Sequence, residues 1–119
     1  MATLEYFTGD TMPILFEVKT QAGDPLAIPL DAVVSFSIRK QTGAFTAEII
    51  AGPFLCANDA TSTEVGNADW TVGKVVGFLD ETTAGMELGR HRLELQVDKE
   101  GKRTTVAKQS IQVMEDTIT

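Results

Sequence analysis

The chain is short of the residues that most enzyme chemistry uses: it holds one cysteine and one histidine. A single thiol, Cys56, excludes an internal disulfide, so the fold cannot depend on an oxidising compartment. Cys56 follows Pro53-Phe54-Leu55 in an apolar run, with no basic neighbour to favour a thiolate, and reads as a small buried hydrophobe. One Cys and one His leave too few soft ligands for a zinc site. Positive charge is scarce as well: 10 Lys and Arg stand against 17 Asp and Glu, a net charge of −7. That balance argues against a nucleic-acid surface, which needs clustered cations to displace counterions, and reads as solubility. No apolar run approaches the roughly 20 residues of a membrane span. The opening Met1-Ala2-Thr3-Leu4-Glu5 lacks the basic and apolar regions of a signal peptide. The expectation is a chain made in the cytoplasm, soluble there unless an assembly carries it elsewhere, with no nucleic-acid or membrane partner.

What the sequence does have is period-two alternation. In Met12 to Thr20, Ile14, Phe16 and Val18 share one face, with Glu17 and Lys19 on the other. Val34, Phe36 and Ile38 alternate with Ser35, Ser37 and Arg39; Leu93, Leu95 and Val97 alternate with Arg92, Glu94 and Gln96. Each pattern reads as a strand with one buried and one wet face. Lys74 to Leu79, Lys102 to Val106 and Ser110 to Val113 also read as strands. Turn chemistry separates them: Gly9-Asp10, Gln21-Ala22-Gly23-Asp24-Pro25, Gln41-Thr42-Gly43, the segment Asp80 to Met86, and Asp98-Lys99-Glu100-Gly101 as a four-residue hairpin loop. Pro13 suggests the start of a strand or a sheet edge. The 119 residues, 43% apolar, make one domain spanning 1–119: all-β, a β-sandwich of about seven to eight antiparallel strands.

A search for chemistry finds no reactive constellation. His91 shares the parity of Leu93 and Leu95 at the start of a strand, which reads as a structural histidine rather than a general base. The four serines, Ser35, Ser37, Ser62 and Ser110, have no nucleophile-elbow context. Gly73-Lys74-Val75-Val76-Gly77 has neither the P-loop nor the dinucleotide spacing; it reads as a strand whose glycines mark a bulge or the close approach of another chain. Residues 57 to 69 form a long polar stretch without period, and such loops are functional or mobile, after which Trp70 and Val72 are expected to resume strand character. Asn58, Asp59, Glu64, Asn67 and Asp69 there offer hard oxygen ligands of the kind calcium takes, but not at EF-hand spacing, and a solvated loop is the default reading. Tyr6, Phe7, Phe45, Phe54 and Trp70 fall near strand ends or loops, where aromatics either anchor interfaces or cap the core. Tyr6, Phe7 and Trp70, with Asp59, Glu64 and Asp69, are the candidate interaction surface. No catalytic, metal or cofactor-binding residue is expected.

The order of signals resembles a known family. Its marks are Phe7-Thr8-Gly9-Asp10-Thr11 before a strand, Gly23-Asp24-Pro25-Leu26 followed by Leu30 to Arg39, and Thr83-Ala84 through Leu88-Gly89 to Leu93-Glu94-Leu95-Gln96-Val97. A glycine hairpin and a terminal strand complete the pattern. It is similar to the immunoglobulin-like domains of tailed-bacteriophage virion proteins, typified by the N-terminal domain of baseplate upper proteins. The chain departs from that family in having His91 where an aromatic commonly follows the glycine, and in the long polar segment from Ala57 to Asp69.

The resemblance implies a non-enzymatic virion protein docking on the tail, baseplate or fibre-attachment region, in a symmetric homo- or hetero-oligomeric assembly, with no cofactor. A capsid head-decoration protein is the alternative, and a carbohydrate-binding or host-adhesion module using the long loop and Trp70 is the alternative of another class. The terminal segments, Ala2 to Tyr6 and Glu115 to Thr119, are expected to act as arms toward neighbouring subunits by strand addition.

The strand faces can be tested directly. Leu95→Asp places an unpaired charge on the buried face, a cost of about 4 kcal/mol or more that should unfold the domain. Circular dichroism of the variant showing an intact fold would refute the face assignment.

Overall fold

The computed structural model describes residues 4–8, 10–40, 49–79 and 88–115. The turns expected at Gly9, Gln41-Thr42-Gly43 and Asp80 to Met86, and Phe45 and Thr83-Ala84, lie outside the described residues. The strands are β1 (Leu4–Phe7), β2 (Met12–Glu17), β3 (Val33–Lys40), β4 (Ile49–Cys56), β5 (Thr61–Ser62), β6 (Gly66–Asn67), β7 (Lys74–Leu79), β8 (Gly89–Lys99) and β9 (Lys102–Met114); alternation becomes strand where expected at β2, β3, β7, β8 and β9, while β5 and β6 fall where a loop was expected. A single 3-10 turn at Trp70–Val72 is the only helical element among the described residues. The fold is therefore all-β.

Five strands form one sheet in the order β1-β9-β8-β3-β4, and β2-β7 and β5-β6 are separate two-stranded ribbons. All neighbours in the large sheet are antiparallel except β1, which runs parallel to β9 with Tyr6 opposite Val113. The expectation of antiparallel strands throughout is corrected at that pair. Of the segment expected as an outward arm, Leu4 to Tyr6 is instead spent on pairing within the chain, and Ala2 and Thr3 lie outside the described residues. Residues 116–119 lie outside the described residues.

The core forms where the β2-β7 ribbon packs on one face of the large sheet. Ile14 and Phe16 of β2, Val75 and Leu79 of β7, Phe36 and Ile38 of β3, and Leu93 and Leu95 of β8 are buried in one cluster. The Phe36 ring sits 5.6 Å from Phe16 and 5.2 Å from Phe54, in tilted geometry. Aromatic pairs at such separations contribute about 1 kcal/mol beyond their area burial. The ribbon can approach because residue 77 is glycine: a Cβ there would lie 2.6 Å from the Phe36 ring. The expectation of a bulge or of another chain at these glycines is corrected at Gly77, which pairs regularly with Ile14 and makes room for Phe36 of the same chain.

Two turn expectations change in register. Lys99 pairs with Lys102, so the hairpin loop is Glu100-Gly101 alone, two residues rather than four. Both have positive φ, 54° and 80°, the signature of a turn whose twist matches that of its strands. The segments read as two final strands are one 13-residue strand, β9. Its pairing jumps from Leu95–Ala107 to Gln96–Thr105, leaving Val106 as the extra residue of a bulge. The bulge shifts side-chain parity, which is why the sequence pattern breaks there although the strand continues.

Residues 57–69 are more ordered than a polar loop, and the strand character expected at Trp70 and Val72 is corrected to a 3-10 turn. Ala68 N–H donates to the Ala60 carbonyl, closing the β5-β6 hairpin. Asp69 caps the 3-10 turn by accepting the Thr71 N–H at its Oδ1, and Gly73 ends the turn in the left-handed region. The Gly23-Asp24-Pro25 turn is as read, closed by Thr20 N–H to the Asp24 carbonyl and a Lys19–Pro25 bridge.

Gly73 and Gly23 give contrasting tests. At Gly73 a Cβ would meet the Val18 carbonyl oxygen at 2.5 Å and that of Leu26 at 2.7 Å, with φ at +74°. At Gly23, φ is +90° but the space is open. Gly23→Ala should cost about 1 kcal/mol and Gly73→Ala about 3 kcal/mol, because backbone rather than a flexible side chain must yield. Urea denaturation of the two variants measures the difference.

Candidate interaction surfaces

The expected interaction residues separate into two groups. Tyr6 and Trp70 are buried, at 1% and 4% exposure, and this corrects their assignment to a surface. Tyr6 faces the core from β1, and its hydroxyl donates to the Asp10 carbonyl at 2.8 Å. Trp70 is held by the turn it opens: its N–H donates to Asn58 Oδ1, and its carbonyl accepts the Ile28 N–H. Asn58 and Asp69 therefore tie this segment down rather than facing a ligand. Phe7, Asp59, Glu64 and Asp69 are exposed. Among the described residues no three His, Cys, Asp or Glu side chains come together as a metal-holding group. His91 is buried on β8, opposite Lys40 and Ile111.

Two surfaces stand out, and they lie on opposite sides of the core. The first is a groove of about 460 Å³ between the β5-β6 hairpin and the outer side of the β2-β7 ribbon. Pro13 and Phe78 pair across the ribbon, one step from the inward Met12–Leu79 pair, so both face outward into the groove. Thr61, Ser62, Asn67 and the carboxylate of Glu64 line its other wall. It offers an apolar floor with a hydroxyl- and carboxylate-bearing rim.

The second surface is the outer face of the five-stranded sheet. The register puts Arg39, Arg92, Arg90 and Arg103 all on this face, and these are every arginine of the chain. Only Lys108 of the lysines joins them within the strands, opposite Glu94. Arg39 and Arg92 are direct cross-strand partners, an arrangement that like charge destabilises. Glu94 offsets it, with Oε1 3.2 Å from Arg39 Nε and Oε2 2.6 Å from Arg92 Nε. Around this ion triad Ser37, Glu94 and Gln96 are buried although they face away from the core. Large apolar side chains flank it: Val33, Ile49 and Leu55 are all exposed, Leu55 at 78%. The shared parity of Arg39 with Ser35 and Ser37, and of Arg92 with Glu94, was the sequence signal for this face. Recognising it needed the pairing of β3 with β8.

The edges of the large sheet differ. β1 is four residues long, and β4 carries Pro53 and two register shifts against β3. A short strand and an interrupted one both discourage edge-to-edge pairing.

Compared with protein-family models, curated proteins and solved structures, the chain gives no match.

Cys56 yields a test of the core. Burial pushes its thiol up from 9.0 to about 12. The folded thiol stays neutral at pH 8 and should react with a disulfide reagent only as fast as the protein opens. Because the folded pKa is the raised one, its contribution to stability is full below pH 9 and declines as pH climbs toward 12. Urea midpoints across that window should fall more for the native chain than for Cys56→Ala.

Proposed function

We propose that the chain is a non-enzymatic structural protein of tailed-bacteriophage virions, built as an immunoglobulin-like β-sandwich. It docks on the tail, baseplate or fibre-attachment region by protein–protein contacts, and it is made in the host cytoplasm and carried in the particle. The observation that carries the fold reading is the strand order. In β9-β8-β3-β4 the chain positions match the G-F-C-C′ sheet of variable-type immunoglobulin domains, and β2-β7 matches the B–E pair that faces it. The ribbon covering one face and the buried Phe36 at the centre of the C-equivalent strand support the same reading. Phe36 takes the place of the tryptophan of antibody domains, and aromatic packing does the work of their disulfide.

A docking role is supported by where the chain spends its polar residues. Asn58, Asp69, Tyr6 and Glu94 are engaged in holding structure, while two broad surfaces remain open. The sugar-binding alternative loses its aromatic platform, because the Trp70 indole is inside the core.

Mass spectrometry of purified particles from the genome encoding this chain is expected to detect it as a virion component. A handful to dozens of copies per particle fits tail or baseplate attachment, whereas hundreds would place it on the capsid lattice as a decoration protein. Particles lacking the chain altogether would overturn the reading.

A further inference from the structure

β9 is paired along both of its sides only near its end. β8 lines it from Lys102 to Val113, whereas β1 reaches it only at Ile111 to Met114. On the side away from β8, Lys102 to Lys108 meet no strand among the described residues. Lys99 and Lys102 close the two-residue turn as a hydrogen-bonded pair, so Asp98–Arg103 and Gln96–Thr105 are pairs of the other kind. Arg103 and Thr105 therefore turn their N–H and C=O groups toward the open side. The stretch holds no proline, and Thr104, Thr105 and Val106 are residues that favour strands. It is also cationic: Lys102, Arg103 and Lys108 are three of the ten Lys and Arg in the chain, and β9 contains no Asp or Glu. Arg103 and Lys108 share a face, because their partners on β8 are Asp98 and Glu94. Those carboxylates stand four residues apart, the Val106 bulge absorbing the extra residue of β9. Neither cation is fully engaged by them. Arg103 Nε lies 4.0 Å from Asp98 with its side chain 63% exposed, and Glu94 is spent on Arg39 and Arg92.

We infer that this edge of β9 is a strand-addition site for an extended acidic segment of another protein. The incoming strand bonds to the outward N–H and C=O groups of Arg103 and Thr105, which supplies affinity. Two of its carboxylates, four residues apart, meet Arg103 and Lys108 and repeat on the open side the pattern that β8 presents on the other. A second copy of this chain does not fit. Antiparallel pairing of two such edges sets cation against cation, which is how lysine on an edge prevents self-pairing. Carboxylates four residues apart occur in this chain only at Glu94 and Asp98, which already lie in β8. The site is independent of the virion role, so its failure leaves that proposal standing.

Fluorescence anisotropy of a labelled peptide of about eight residues, titrated with the purified full chain, tests it. The peptide alternates Thr and Val, with two Glu four residues apart on the Thr face. It should bind with a Kd below about 1 mM, and about tenfold or more weakly as NaCl rises from roughly 0.05 M to 0.5 M. Hydrogen exchange should slow on binding at the Arg103 and Thr105 amides. The same peptide with Lys for both Glu should not bind. Arg103→Glu/Lys108→Glu should exchange these preferences, and Thr105→Pro, which removes an outward N–H without a bond to β8, should abolish binding. Circular dichroism verifies folding. Arg103→Gln/Lys108→Gln, with about tenfold weaker binding of the Glu peptide expected, replaces the charge reversal if that variant misfolds; the exchange measurement on the native chain stands in for Thr105→Pro. No binding of the Glu peptide to the native chain overturns the inference. So does equal binding of the two peptides, binding that survives Thr105→Pro, or exchange that slows only outside Lys102 to Lys108.

Discussion

The contact on which the other features depend is the packing of Phe36. Its ring touches Phe16 from the ribbon and Phe54 from the neighbouring strand, and it occupies space that only a glycine at position 77 leaves open. Four strands that are distant in sequence meet at this one side chain. A two-stranded ribbon is marginal in water by itself, so β2-β7 owes its stability to this face. In the absence of a disulfide, dispersion and apolar burial carry the joint between the layers. Interiors packed at crystal-like density have little room to adjust, which fixes the ribbon over the sheet and hence the groove over the ribbon.

The two open surfaces follow from that joint. With one side of the large sheet closed by the ribbon, its outer side is left with the residues of opposite parity. Those are the arginines, Glu94 and Gln96 of β8, and the serines of β3. Glu94 lets Arg39 and Arg92 sit directly across from each other, and the cost of largely burying three charges is offset by mutual pairing. The groove exists because the β5-β6 hairpin folds back over the outer side of the ribbon instead of extending into solvent. Its position depends on Asn58 and Asp69, whose oxygens hold the Trp70 turn in place.

Much of the fold was legible in the residues. Ile14, Phe16 and Val18, then Val34, Phe36 and Ile38, then Leu93 and Leu95 are all buried as their alternation required, because a strand's two faces differ in water exposure along its whole length. The interaction surface was less legible. Tyr6 and Trp70 are amphipathic aromatics, and their position near element ends suits a surface anchor and a core cap equally. The tight turn at Trp70 and the parallel pairing of β1 drew both inward. The polar run of residues 57–69 concealed a hairpin, since two-residue strands leave no periodic trace.

By itself the sequence determined the class of structure, its inward faces, and the scarcity of groups able to do covalent chemistry; these are properties of residue type and parity, fixed residue by residue. The tertiary structure decided which strands are neighbours. That choice merged two expected strands through the Val106 bulge and set β1 parallel to β9. It also gathered onto one face four arginines from three strands. Strand pairing joins residues dozens of positions apart through backbone hydrogen bonds, which every non-proline residue can make. No local pattern specifies the partner; only the burial of the whole core selects it.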